Sequence, residues 1–248
     1  MGKRSKRKGI LVSFPAHGVI ITAAGSSSRF NSSDNPAKKK KEFIPLDDRS
    51  VLYHATAPFF SLPGLKIVVV TYAEGYRDEA EVALDNLLFA SPVPVLLVQG
   101  GETRQQSVLL GLEALASHAP KIQYALVHDG ARPWITEETI ISTLAIATVF
   151  GGAAPVLPIH DSVKMIDREG KIVSHVDRTG MATVQTPQIF RFPEILEAHR
   201  KAATNDKNYL DDTEIYMDFG GLVGTSEGDL NNRKITVAQD IPDSEELS

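Results

Sequence analysis

The sequence predicts an α/β fold: a mostly parallel sheet with helices on both faces. Two observations carry this expectation. Short, β-branched apolar runs of strand length alternate with amphipathic segments of helix length. The chain of 248 residues is 42% hydrophobic and 23% charged. That is enough apolar mass for a substantial core, which excludes disorder as the whole story.

The elements follow in order. Val19–Ala23 reads as the first buried strand, Ser50–Phe60 as a helix, Ile67–Thr71 as a strand and Glu79–Phe89 as a helix. Val95–Gln99 and Tyr124–His128 are further strands, with helices at Ser107–Ser117 and Thr136–Phe150. Right-handed crossovers then bring the loops that follow the strands to the carboxyl edge of the sheet, where open α/β folds bind ligands. From Gly151 the rhythm changes. Ala153–Pro158, Val163–Asp167 and Ile172–Val176 are short extended pieces around a turn at Asp167–Gly170. They predict a β-hairpin arm over about 151–176, too small to bury a core of its own and so expected to pack on a second subunit. Phe192–Asn205 resumes the α/β pattern, and Lys234–Val237 is expected as the final strand. Residues 1–17 read as a basic, disordered tail and lead-in, and 18–248 as one domain.

Composition removes several function classes. With no cysteine there is no disulfide, zinc-thiolate site, iron–sulfur cluster or cysteine nucleophile. The absence of disulfides fits a reducing, cytoplasmic compartment. No run approaches the roughly 20 apolar residues of a membrane helix, so no membrane partner is expected. The five basic residues between Lys3 and Lys8 stand on a chain of net charge −5, which argues against a nucleic-acid partner. Ile10–Phe14 is too short for the apolar core of a secretory signal. The seven histidines show no i,i+4 pair, which makes zinc a poor fit.

The first strand runs into Ala23-Ala24-Gly25-Ser26-Ser27-Ser28-Arg29-Phe30, a small-residue turn whose backbone N–H groups can approach a phosphate. By itself it supports phosphate binding only slightly better than it supports a plain βα connection. It matches neither the dinucleotide fingerprint nor the P-loop. Lys41-Glu42-Phe43 follows, and beside a phosphate loop a lysine is a point charge suited to a triphosphate. Gly100-Gly101-Glu102-Thr103-Arg104-Gln105-Gln106-Ser107 leaves the third strand and opens a helix, and Asp129-Gly130-Ala131-Arg132-Pro133 leaves the fourth. An aspartate at that edge is placed either to hold magnesium with substrate phosphates or to cap a turn. Gly224-Thr225-Ser226-Glu227-Gly228 matches the hydrolase elbow, but the last histidine, His199, precedes it, so a hydrolase is rejected.

Together with Asp161-Ser162-Val163-Lys164, Val176-Asp177-Arg178-Thr179-Gly180, Gln185-Thr186-Pro187-Gln188-Ile189-Phe190 and Asn232-Arg233-Lys234-Ile235-Thr236, these motifs resemble the 2-C-methyl-D-erythritol 4-phosphate cytidylyltransferases of the non-mevalonate isoprenoid pathway. The likeness runs in order over roughly residues 18 to 241. It implies a Rossmann-like core of the nucleotide-diphospho-sugar transferase type, a dimerising β-arm, and a homodimer that joins CTP to methylerythritol phosphate with release of pyrophosphate. It also implies site roles. Ala23, Ala24, Gly25 and Arg29 would hold the CTP phosphates, with Lys41 beside Arg29 on the α-phosphate as the catalytic pair. Gly101, Arg104 and Ser107 would form the cytosine and ribose side, and Asp129 the Mg2+ side. Arg178, Thr186 and Lys234 would hold the polyol phosphate, and Arg132 and Ser162 would act across the dimer. Ser27 stands where the family usually has glycine, Glu102 where it has Asp, and Leu210 where it commonly has Thr. The rival readings are a ribitol-5-phosphate cytidylyltransferase, a nucleotide-binding regulator without turnover, and a structural dimerisation protein.

Overall fold

The computed structural model describes residues 14–25, 27, 30 and 40–241. In chain order the elements are β1 (His17–Ala23), α1 (Val51–Thr56), β2 (Leu65–Tyr72), α2 (Arg77–Ala83), α3 (Asp85–Ala90), β3 (Val95–Gln99), α4 (Arg104–His118), β4 (Tyr124–Asp129) and α5 (Glu137–Phe150). Then come β5 (Gly151–Pro158), β6 (Val163–Ile166), β7 (Ile172–Val176), β8 (Ala182–Val184), β9 (Gln188–Arg191), α6 (Glu194–Ala202), α7 (Asp212–Asp218) and β10 (Leu222–Glu227).

The main sheet runs β10-β5-β9-β4-β1-β2-β3, with β8 paired on β5. β1 is parallel to both β2 and β4, and β10 is parallel to β5, whereas β9 runs antiparallel to β4 and β5. Strand order therefore reverses direction about β1, the position at which such sheets open a crevice at their carboxyl edge. Register places Thr22 of β1 opposite Asp129 of β4, which puts both at that edge.

Successive side chains of a strand point to opposite faces, and the core divides accordingly. Val19, Ile21, Val68, Val70 and Leu126 pack with Leu52 of α1 and with Ile140 and Leu144 of α5. Ile20, Ile67, Val69 and Val127 pack on the other face against Val108, Leu112 and Leu115 of α4 and Ile195 and Leu196 of α6. α4 approaches β1 closely because residue 111 is glycine; a Cβ there would stand 2.8 Å from Ile20 Cγ2.

Several elements differ from the sequence expectation. The helix expected over Ser50–Phe60 is α-helical only to Thr56 and then tightens to a 3-10 turn over Ala57–Ser61, with Pro58 near its start removing a backbone donor. The helix expected over Glu79–Phe89 breaks at Leu84, whose φ of −116° and ψ of 11° leave the helical region. The arm is shorter than 151–176. Gly151–Ala154 of β5 are buried in the main sheet, and the excursion begins only after Pro158, as the separate β6–β7 hairpin. Lys234–Val237 is not a strand; its backbone reaches the fold through the Ile235 N–H, which donates to the Ala131 carbonyl at 2.8 Å. Ile235 is buried there with Phe30, Leu46 and Val51, so its apolar character serves a small satellite core rather than the sheet. Among the described residues the last strand is instead β10, which contains the glycine–serine decoy. Ser226 is buried and its Oγ bonds Thr143 Oγ1 at 2.8 Å, an arrangement that pins α5 to β10.

Candidate nucleotide-binding cleft

At the carboxyl edge of the sheet lies a cleft of about 320 Å³, walled by the loops after β1, β3 and β4 and by Lys234 and Thr236. Its floor is an ionic cluster around Asp129. One carboxylate oxygen lies 2.9 Å from Lys234 Nζ and 3.4 Å from Arg132 Nε, and the other 3.4 Å from Arg104 Nε. Burial alone would raise the pKa of this carboxyl. The adjacent charges of Arg104, Lys234 and Arg132 outweigh that penalty and hold it well below the ordinary carboxylate range. Asp129 is therefore an anion at any working pH, compensated by three cations from three loops.

Asp129 is also held from behind. Its backbone N–H donates to Thr186 Oγ1 at 3.1 Å, and the same hydroxyl lies 3.0 Å from His128 Nδ1. Burial lowers the pKa of His128 to about 4, so this imidazole is neutral and structural. Thr186, expected to touch the polyol phosphate, is 4% exposed, and its hydroxyl accepts the Asp129 N–H at the cleft floor. Arg132, expected to act across a dimer, is partly buried beside Asp129. Its Nη1 donates to the Asn232 carbonyl at 2.7 Å while Nε faces Asp129.

The loop after β3 enters α4 through a reciprocal cap in which Thr103 Oγ1 accepts from Gln106 N and Gln106 Oε1 accepts from Thr103 N. This cap fixes the first helical residue, Arg104, at the cleft. Ser107 is buried; its Oγ donates to the Thr103 carbonyl at 2.9 Å and accepts from Gly101 N at 3.2 Å, so it staples the loop. Gly100 lets that loop reach the one after β1, since a Cβ there would stand 2.3 Å from Ala24 Cβ.

In the loop after β1, Ala24, Gly25 and Ser27 line the cleft, and Lys40 Nζ donates to the Gly25 carbonyl. Ser27 has a φ of 52°. This left-handed conformation comes more easily to glycine, which accounts for the glycine that the family usually has at this position. The Ser27 Oγ donates to Glu42 Oε2 at 3.3 Å. Glu42 is a buried carboxyl, its pKa raised by burial despite Lys41 and Lys40. Lys41 lines the same cleft, 8% exposed, with Nζ donating to the Ile235 carbonyl at 2.6 Å. Arg29 lies outside the described residues, as do Lys38 and Lys39 and residues 1–13 of the expected tail.

Thus Ala24, Gly25, Lys41, Arg104, Ser107, Asp129 and Lys234 line one cleft, although Lys41 and Lys234 lie far apart in sequence. Lys234 reaches it from an irregular segment rather than from a strand. Ser162 and Arg178 do not line it; both are exposed on the arm and its flanking loop. Leu210 is 90% exposed, with its N–H donating to Glu214 Oε2 at 2.8 Å. Sequence reasoning missed Thr22 and Glu42 in the cleft, and Asn232 beneath it, whose Nδ2 donates to the Thr186 carbonyl at 2.8 Å. The readable signal was their adjacency to the motifs already singled out.

Fold and cleft together define a Rossmann-like α/β protein of the nucleotidyltransferase class. The chain belongs to the 2-C-methyl-D-erythritol 4-phosphate cytidylyltransferase family, whose model matches residues 18–247. It is 32% identical to the 2-C-methyl-D-erythritol 4-phosphate cytidylyltransferase of Clostridium novyi, over 92% of this chain and 95% of that one. It is 37% identical to the "Bifunctional enzyme IspD/IspF" of Rhodopseudomonas palustris, covering 92% of this chain and 54% of that one, so the chain spans about half the length of the bifunctional curated relatives it matches. Among solved structures, the 2-C-methyl-D-erythritol 4-phosphate cytidylyltransferase of Thermus thermophilus superposes with a TM-score of 0.71 at 27% identity, covering 90% of this chain and 94% of that one. The synthase from Anaerococcus prevotii, at 24% identity, TM-score 0.75 and coverage of 92% and 93%, shares the fold.

Proposed function

We propose that the chain transfers a cytidylyl group from CTP to 2-C-methyl-D-erythritol 4-phosphate, releasing pyrophosphate. The observation that carries this reading is the convergence of Arg104, Arg132 and Lys234 on one ionised carboxylate, Asp129, in a cleft that Lys41 also lines, beneath a small-residue loop. Such a cleft is built to neutralise two phosphate-bearing substrates. The attacking 4-phosphate is already an anion, so no general base is required. His128, neutral and bonded to Thr186, is consistent with that. What the residues contribute is in-line positioning and stabilisation of charge at the α-phosphorus. Arg29 and Lys41 grip the α-phosphate, the backbone of Ala23, Ala24 and Gly25 cradles the triphosphate, and Lys234 serves the polyol phosphate.

Mg2+ fits this donor set: it takes one carboxylate together with substrate phosphates, and Asp129 supplies an ionised carboxylate on the cleft wall with the Thr22 hydroxyl beside it. Asp129 would hold the ion, which would supply charge neutralisation for the triphosphate when bound.

The test is pyrophosphate release from CTP with Mg2+ and either methylerythritol phosphate or ribitol 5-phosphate. Release with the former at a kcat/KM at least about 10²-fold higher is expected, a margin typical of a site built to pair with one substrate's hydroxyls. Release only with ribitol 5-phosphate, or none with either, would overturn the assignment.

The homodimer belongs to the same reading. On the β6–β7 hairpin Met165, Ile166, Ile172 and Val173 are all largely exposed. They make an apolar surface that a second copy would cover. Ser162 and Arg178 would then serve the partner's cleft. Light scattering should give twice the chain mass of 27.0 kDa, and an Ile166→Asp, Ile172→Asp double variant should run as a monomer with reduced turnover. A wild-type chain that is active as a monomer sinks this reading.

A further inference from the structure

Behind the cleft, the Arg104 guanidinium is gripped by groups assigned to neither substrate. Asp212, the first residue of α7, and His199, on α6, are both fully buried. Asp212 Oδ2 lies 2.8 Å from Arg104 Nη2, and Asp212 Oδ1 lies 3.2 Å from His199 Nε2. On its other side Arg104 Nε faces Asp129 at 3.4 Å. Asp212, Arg104, Asp129 and Lys234 thus form one continuous ionic chain from the core to the cleft, with the His199 ring against its inner end.

The far end of this chain is rigid. Asp212 N–H donates to Gln188 Oε1 at 3.0 Å, and Gln188 Nε2 donates to Asp211 Oδ2 at 3.0 Å. Asp211 in turn caps α7 by accepting from Glu214 N at 3.1 Å. A buried carboxylate is costly unless paired, and the first N–H groups of α7 are met by Asp211 and Gln188 rather than by the Asp212 side chain. Asp212 is therefore not needed to start the helix. Its burial is accounted for by what it holds, a cation at the floor of the nucleotide cleft.

We propose that Asp212, backed by His199, is a positioning residue: it fixes the Arg104 guanidinium between two carboxylates so that the fork meets the nucleotide in one orientation. This rests on the cytidylyl-transfer reading of the same cleft. Without Asp212 the guanidinium is held from the cleft side only. It then collapses toward Asp129, spoiling the nucleotide subsite while leaving the polyol phosphate subsite at Lys234 in place.

The test is a double-mutant cycle between Asp212→Asn and Arg104→Lys, read as KM for each substrate and as the midpoint of thermal unfolding. Asp212→Asn should raise the KM for CTP about tenfold, as expected for a charge-assisted contact, with the KM for the polyol phosphate within about twofold. In the Arg104→Lys background the same substitution should add less than about twofold, because residues acting through one another are not additive. His199→Gln should move the CTP KM in the same direction by less, and it carries the cycle if Asp212→Asn does not fold. A rise in both KM values together, or a full multiplicative effect in the Arg104→Lys background, would show a purely structural pair. Should the wild-type chain release no pyrophosphate, the transfer reading fails; the cycle read by calorimetric binding of CTP then decides the positioning inference separately. Additive binding losses, or no CTP binding at all, overturn it.

Discussion

Replacing Lys41 by Ala should lower kcat by about 10²–10³-fold while raising the KM for CTP far less, the pattern of a group that acts on charge developing in the transition state. Lys41 starts a 3-10 turn over Lys41–Phe43, and its ammonium is steered by the Ile235 carbonyl at 2.6 Å. The residue is almost wholly buried. Its charge therefore acts in a poorly screened cleft, where it is worth more than on the surface. Ile235 is itself buried beside Phe30, Leu46 and Val51, so the carbonyl that aims the ammonium is held by a hydrophobic anchor. Ile235→Ala should therefore lower kcat in the same direction by a smaller factor. Steady-state pyrophosphate release with each substrate varied in turn separates the possibilities. Near-normal kcat with a raised KM for CTP would mean that Lys41 binds ground-state phosphate only.

Asp129→Asn should be severe for both turnover and stability. The substitution keeps the shape of the side chain but removes the carboxylate on which Lys234, Arg132 and Arg104 converge, and Arg104 alone of the three retains a described carboxylate partner, Asp212 at 2.8 Å. Breaking one side of a buried ionic cluster costs about 3 kcal/mol, which for a chain of this size lowers Tm by roughly 6–12 °C. Turnover should fall by about 10²-fold or more, because the three cations lose the anion that orients them. The pH dependence follows from the sign of the shift, since neighbouring cations hold the Asp129 carboxyl below its ordinary range. A carboxyl held below its ordinary value of about 3.9 stabilises the fold fully above that pH, and the benefit is lost as pH falls through the lower, folded value. The stability gap between wild type and Asp129→Asn should thus stay flat from about pH 5 to 8 and shrink only below about pH 4. A gap that titrates near neutrality, or an unchanged Tm, contradicts this account of the cleft.

The strands at the centre of the sheet were legible in the sequence because a buried parallel strand must be apolar on both faces. Val95–Gln99 matches the expected bounds, and Val19–Ala23 and Tyr124–His128 differ from the observed strands by no more than two residues at an end. The loops after β1, β3 and β4 were legible for a related reason: close backbone approach demands small residues, and Gly100 against Ala24 shows why. β9 and β10 were not legible. β9 is a four-residue strand whose place is decided by antiparallel pairing between β4 and β5, partners that lie on either side of it in space but not in sequence. β10 carries glycine turn signals around a strand that exists because β5 is available to pair with it.

Within the cleft the division is the same. The linear chain specifies which residue types can meet phosphate: the cations Lys41, Arg104, Arg132 and Lys234 and the acid Asp129, each in or beside a motif read from the sequence. Their partners were assigned by folding. It turned Thr186 and Ser107 inward as supports, left Arg178 and Ser162 out on the arm, and joined Asp212 and His199 to Arg104. Chemical character is local to a residue, whereas compensation of a buried charge is a property of everything within a few ångströms of it. Those neighbours come from loops far apart along the chain, brought together only when the sheet aligns its carboxyl edge.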